Sequence, residues 1–236
     1  MKVLFVGEGE HDIGPPVQTG PPRPSRGVVS ALCRLICPAI HADSIAMSWR
    51  DLSSYDLSNM RLRKRDLLGA MYVRQMKVAA LIGPRKFQCV GAICVVDRDG
   101  DDEKMTTLQE GRLAAEAIDS TFRFATGVAI ESIEAWSLGD PDALAKALGI
   151  STSDLDYRVS DVEKMKQSSG KEEFRSKTRL QKLAESANLT DCVELREKIA
   201  QETEISRLAA NCPKGFAPFM SAVQDAFCPS RADKTN

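Results

Sequence analysis

Histidine is scarce in this chain: of 236 residues only His11 and His41 are histidines. A structural zinc site wants two closely spaced Cys/His pairs. Cys33 and Cys37 stand four apart, but no second pair is spaced to match them. The seven cysteines are odd in number, and several lie in apolar runs such as LCRLIC and FQCVGAICVV. They read as reduced, mostly buried thiols rather than a disulfide framework or a zinc site. An excess of one charge is also missing: Lys plus Arg number 32 and Asp plus Glu 33, a formal net charge of −1. That balance argues against a basic protein that coats duplex nucleic acid, though not against local contact with it. No apolar run approaches the roughly 20 residues needed to cross a bilayer. The opening MKVLFVGEGEHD has one Lys, a short apolar run and then acids. It reads as a first strand, not a signal peptide, so a cytoplasmic location and no membrane are expected.

Several catalytic signatures are absent as well. There is no G-x-x-x-x-G-K-S/T phosphate loop and no G-x-S-x-G elbow. GEGEHDIG departs from G-x-G-x-x-G and sets acids where a dinucleotide phosphate would lie.

What is present is an alternation of strands and helices. Residues 2–6, 88–96 and 124–130 are short apolar runs, each expected to form a strand, the second of them central and parallel. Helices are expected over 28–38, over a segment ending near 83, from about 102 for some 18 residues, from about 131, over 141–149, 178–187 and 191–210, and last over 215–227. Residues 14–27 hold five Pro and three Gly, which no helix or inner strand tolerates. This loop carries Arg23 and Arg26. Residues 42–60 read as irregular, and RLRKRD at 61–66, containing Lys64, is the one dense basic cluster. The pattern is an α/β sheet domain with a helical C-terminal part.

Each strand ends in acids: Glu8 and Glu10 after the first, Asp97, Asp99, Asp101 and Asp102 after the second, Glu131 and Glu134 after the third. In a parallel sheet these ends share one edge, where ligands bind. Acids meeting there repel, and a divalent cation relieves the repulsion. Carboxylate oxygens favour Mg²⁺ or Mn²⁺ over Zn²⁺. If 97–99 stays extended, Asp97 and Asp99 point to one side. Asp101 and Asp102 fit helix caps better than ligands. Glu131 and Glu134, i and i+3 on a helix, would share a face. Trp136 reads as core, and His11 as either an acid-base group near Glu8 or a loop surface residue.

Glu8-Gly9 after the first strand and Asp97-Arg98-Asp99 after a later one resemble the TOPRIM family, which includes catalytic domains of topoisomerases, bacterial primases and OLD-type nucleases. E-S-I-E-A-W-S-L-G-D at 131–140 and the CP-x-GF element at 212–216 are similar to a bacterial TOPRIM-like group of uncharacterised proteins, the DUF4276 type. The likeness runs over most of the chain. Gly7 stands where an apolar residue is usual, His11-Asp12 replaces Thr-Glu, and the Pro-rich loop is long.

The resemblance implies a TOPRIM-like (Rossmann-like), mostly parallel sheet flanked by helices. That catalytic domain would span 1–150, with 40–83 as a candidate inserted segment, followed by a helical region over 151–230 and a tail over 231–236. It also implies Mg²⁺-dependent phosphodiester chemistry. Glu8 would be general base or metal ligand, Asp97 and Asp99 metal ligands, and Glu134 the added acid of nuclease-like members and a further metal ligand, with Glu131 its rival as catalytic acid; two metals would bind if Glu8 and Glu134 each completed a site. Arg98, Arg23, Arg26 or Lys64 would meet phosphate. Nucleic acid and a separate ATPase are the implied partners. Tyr55, Tyr72 and Tyr157 sit in no cleavage motif, so topoisomerase activity is not expected. A small-nucleotide phosphatase or nucleotidyltransferase, and a noncatalytic partner subunit, are the competing expectations.

Overall fold

A computed structural model of the chain describes residues 1–14, 24–58, 68–165 and 175–228. Arg23, Lys64 and most of the Pro-rich loop and basic cluster therefore lie outside the described residues. Strand β1 (Leu4–Gly7) leads into the one-turn helix α1 (Glu10–Ile13) and then α2 (Val28–Ile36). Strand β2 (Ile45–Ser48) runs directly into α3 (Trp49–Ser54), and α4 (Met71–Phe87) precedes β3 (Gly91–Asp97). Helix α5 (Glu103–Glu116) joins β3 to β4 (Arg123–Ala129). Beyond the sheet come α6 (Ile133–Leu138), α7 (Pro141–Leu148), α8 (Ser176–Ser186), α9 (Val193–Glu202), α10 (Ile205–Asn211) and α11 (Phe216–Phe227).

The four strands form one parallel sheet in the order β2-β1-β3-β4. Side chains alternate between its two faces, as the pleat requires. Phe5, Ile93 and Val95 pack with α2, the helices after β4 and α11. Leu4, Val6, Ala92, Cys94 and Val96 pack with α3, α4 and α5. The result is a sheet between two helical layers, buried on both faces. This is why β3 reads as an unbroken apolar run.

The chain winds from β1 outward to β2, then returns across the sheet to β3 on the other side of β1. The order therefore reverses between β1 and β3. That crevice, outside the strands' carboxyl ends, is where open parallel sheets bind ligands.

Two expectations need correction. Residues 42–60 are not irregular throughout, because they contain β2 and α3. Helix α3 begins with a reciprocal cap: Ser48 Oγ accepts the Asp51 N–H at 3.1 Å, and the Asp51 carboxylate accepts the Ser48 N–H at 2.9 Å. The single helix expected over 191–210 is two helices, because Thr203 is extended and Asp140 Oδ2 accepts the Glu204 N–H at 2.8 Å. All seven cysteines are free, five of them buried. No helix among the described residues is long and apolar enough to cross a membrane.

Candidate metal centre

Glu8 follows β1 by one residue, and Asp97 is the last residue of β3. Because the two strands are hydrogen-bonded neighbours, their ends deliver both carboxyls to the same crevice. Asp99 joins them from the next turn. One oxygen each of Glu8, Asp97 and Asp99 lies within 4.8 Å of the other two. The route differs from the expected one: β3 ends at Asp97, and Asp99 has φ 51° in a turn closed by the Asp101 N–H on the Arg98 carbonyl at 2.9 Å. The turn, not the pleat, turns Asp99 back toward Asp97. Gly100, at φ 80°, supplies the second left-handed residue that a side chain would resist.

Asp97 is also tied on its far side, where its Oδ1 accepts the Ile133 N–H at 2.9 Å. This bond fixes the start of α6 against the end of β3 and brings Glu134 to the crevice. Asp12, one turn after Glu8, accepts the Gly9 N–H at 2.9 Å and is almost fully buried. Glu8, Asp12, Asp97 and Glu134 line one cavity of about 380 Å³ together with His11, Lys177 and Arg196. On its other flank, Glu8 opens onto a groove of about 590 Å³ lined by Ser48, Arg50, Met71 and Tyr72.

Crowding of acids sets the electrostatics. Burial, reinforced by Asp12, Glu134 and Glu8, pushes the Asp97 carboxyl up to about 8. Burial pushes Asp12 up to about 7, against the pull of the Gly9 N–H. Glu8 is raised by burial, with Lys104 opposing. Tyr72, which hydrogen-bonds Glu8, is pushed up to about 12 by burial and then by that carboxylate. Glu134 behaves oppositely. Burial pushes it up, but Arg196 and a hydrogen bond from Ser132 prevail and hold it below the usual carboxylate range. Arg196 Nη1 donates to Glu134 Oε1 at 2.7 Å, while its Nε and Nη2 each donate to Asp191 at 2.6 Å.

The expected site residues thus divide. Glu8, Asp97 and Asp99 form the tight cluster, and Glu134 lines the same cavity but is engaged by Arg196. Glu131 does not share a helical face with Glu134, because α6 begins only at Ile133. Glu131 precedes it, buried, with φ 73°. Arg98 points along its turn to Asp102 at 3.3 Å, and Arg26 is paired with Glu194 and Glu197 on α9 at 3.8 and 3.3 Å. Of the two expected caps, Asp101 accepts the Glu103 N–H at 2.9 Å just ahead of α5, whereas Asp102, at the N-cap itself, makes no side-chain cap bond and pairs with Arg98. Trp136 is core: it stacks on Phe219 at 5.1 Å and meets Phe216 edge-on at 5.4 Å. The E-A-W and CP-x-GF elements therefore touch each other.

Sequence reasoning missed Asp12, Lys104 and Arg196. Asp12 had a signal in its four-residue spacing from Glu8. Lys104 had one in being a cation at the N-terminal turn of α5, where the helix dipole disfavours it. Arg196 is distant in sequence and had none.

No family model, no curated protein and no solved structure matches this chain. The chemistry of the site rests on its donor set. Three carboxylates are hard oxygen ligands, suited to a divalent cation such as Mg²⁺, Mn²⁺ or Ca²⁺. Opposite ligands on Mg²⁺ lie about 4.2 Å apart. Adjacent ligands lie about 3.0 Å apart, so three acid oxygens within 4.8 Å of one another come near the spacing that one ion needs.

Proposed function

We propose that this chain is a Mg²⁺-dependent nuclease or related phosphodiesterase with a TOPRIM-like site, Mn²⁺ serving as an alternative ion. The observation that carries this reading is the meeting of Glu8, Asp97 and Asp99 at the switch point between two parallel strands. The Glu-Gly and D-x-D motifs that suggested the family supply those same three residues.

Glu8, Asp97 and Asp99 would hold a divalent ion, which would supply Lewis acidity toward a phosphoryl oxygen and acidify a water. The protein's own groups account for the rest. Glu8, the member of the cluster that lines both concavities, is placed to accept a proton from an attacking water. Asp97, anchored on the Ile133 N–H, keeps a fixed orientation as a ligand. Arg196 lowers the basicity of Glu134 at the cavity wall, which makes this acid a poor acceptor for a proton leaving water. Because Glu8 stands between two concavities, a phosphodiester laid over it has room for a flank on each side. This supports a nucleic acid strand as substrate. A separate ATPase is the proposed partner, on the resemblance to OLD-type nucleases alone.

The test is a cleavage panel on single-stranded DNA, duplex DNA, RNA and nucleotides with Mg²⁺ or Mn²⁺, with and without a candidate ATPase. Wild type is compared with Glu8→Gln and Asp99→Asn. The expected result is metal-dependent cleavage of a nucleic acid that falls at least about a hundredfold in either variant. Cleavage unchanged in both would remove these residues from the mechanism. Turnover of nucleotides alone would move the substrate to a small phosphate ester.

A further inference from the structure

Lys104 lies in the first turn of α5 and reaches back over the acid cluster. Its Nζ donates to the Asp97 main-chain oxygen at 2.6 Å and lies 3.5 Å from Asp99 Oδ2 and 3.7 Å from Glu8 Oε1. The side chain is only 15 % exposed, whereas those of Glu8 and Asp99 are 36 % and 55 % exposed. A lysine gains nothing from this position on its helix, since the dipole presents positive charge there. What holds it is the pair of carboxylates and one carbonyl oxygen, an all-oxygen environment of the kind a cation binds.

We infer that Lys104 is a tethered counter-ion that occupies the Glu8–Asp99 side of the metal centre and competes with the divalent ion for those two carboxylates. The inference rests on the proposed metal site and assigns it a regulator of affinity. In the metal-free protein the ammonium screens acids that would otherwise repel across less than 4.8 Å. The two carboxylate contacts, at 3.5 and 3.7 Å, are longer than a close charge-assisted hydrogen bond, so the ammonium can turn away from both acids by rotation of its own side chain. The 2.6 Å bond to the Asp97 carbonyl does not involve a metal-ligating oxygen and gives the released ammonium an anchor beside the site. The consequence is a centre tuned to weak, reversible binding: the ion must displace a cation that is part of the chain and always present at high local concentration.

The test is Mn²⁺ binding, read as loss of the free-ion electron paramagnetic resonance signal during titration of the full chain. It needs no substrate or activity. Lys104→Met and the shorter neutral Lys104→Gln are expected to bind Mn²⁺ about three- to tenfold more tightly than wild type, the range for release of one or two partly exposed ion pairs. Lys104→Arg keeps the charge and stays near wild type. Lys146→Met removes an ion pair with Glu202 far from the site and serves as the unchanged control. Equal or weaker binding by both neutral variants, with wild type still binding, would overturn the competition and leave the metal centre standing. Tighter binding by the arginine variant as well would assign the effect to side-chain shape and overturn the counter-ion role. No binding by wild type or by any variant would overturn the metal centre and this inference together.

Discussion

Arg196 Nη1 donates to Glu134 Oε1 at 2.7 Å, and through this bond the C-terminal helices reach the edge of the sheet. The arginine is on α9 and the glutamate in the first turn of α6, 62 residues apart. Asp191 grips the other edge of the guanidinium with both carboxylate oxygens, so a planar cation with fixed donors is required. The helical region is thus part of the site's construction. It fixes one acid in the ionised state within a cavity where Asp12 and Asp97 are pushed toward the protonated state.

Breaking that clamp should cost more than a surface ion pair does. The Arg196 side chain is 1 % exposed, and its partners Glu134 and Asp191 are 9 % and 11 % exposed. Arg196→Met leaves two nearly buried carboxylates without their cation. The expected loss is about 3–5 kcal/mol, measured by urea denaturation. Arg196→Lys restores charge but not the two-pronged grip on Asp191 and should recover only part of it. A loss below about 1 kcal/mol in the methionine variant would show that the clamp contributes no more than an exposed pair.

Asp97→Asn separates site chemistry from folding. An Asn Oδ1 can still accept the Ile133 N–H, so the start of α6 stays anchored. The substitution removes the charge that Asp12, Glu134 and Glu8 repel. In chelator at pH 8, the variant should melt at the same temperature as wild type or about 2–4 °C higher. Added Mn²⁺ should then raise the wild-type midpoint but not the variant's. A variant that melts much lower in chelator would mean that Asp97 is held for stability rather than for a ligand.

The parts visible in the sequence were those carried by local pattern. Expected strands at 2–6, 88–96 and 124–130 correspond to β1, β3 and β4, each with its acids at the carboxyl end. Strand β2 escaped notice because IAMS is four residues long and its burial comes from pairing with β1, not from a periodic pattern. The break between α9 and α10 has no Gly or Pro to announce it, since its cause is the Asp140 carboxylate 64 residues earlier. Among the site residues, Glu8 and the D-x-D pair stood out by motif. Asp12 and Lys104 carried only local signals that no motif singled out, and Arg196 became visible only when α9 was brought to α6.

The metal-free protein should lose stability as pH rises through the neutral range. Asp97 and Asp12 titrate near 8 and near 7 in the folded chain but near 3.8 as unperturbed carboxyls. Between about pH 4 and pH 8 the unfolded chain therefore binds fewer protons than the folded one, and the unfolding free energy falls with rising pH. Glu134, with its pKa lowered, contributes the opposite slope only in acid, below that window. Urea midpoints in chelator should be higher at about pH 5.5 than at about pH 8.5. Saturating Mg²⁺ or Mn²⁺ should reverse most of the loss at the alkaline end, where the ligands are deprotonated. Midpoints that rise with pH in chelator would contradict the burial of these two acids.

Asp140 supports the site from a distance. It is 1 % exposed and joins the start of α7 to the start of α10. Its Oδ1 accepts the N–H groups of Asp142 and Ala143 at 3.2 and 3.3 Å, capping α7. Its Oδ2 accepts the Glu204 N–H at 2.8 Å ahead of α10, and Arg207 pairs with it at 2.9 Å. Asp140→Ala leaves the starts of two helices without their acceptor in a place water does not reach, at an expected cost of about 2–4 kcal/mol in urea denaturation. Asp140→Asn keeps one acceptor but presents an N–H₂ group to one set of backbone donors, so it should recover less than half of that loss. Because α9 ends where Asp140 begins α10, hydrogen exchange should quicken in both α9 and α10 of the alanine variant while β1 and β3 stay protected. Exchange confined to α7 would show that the break at Thr203 is set by residues other than Asp140.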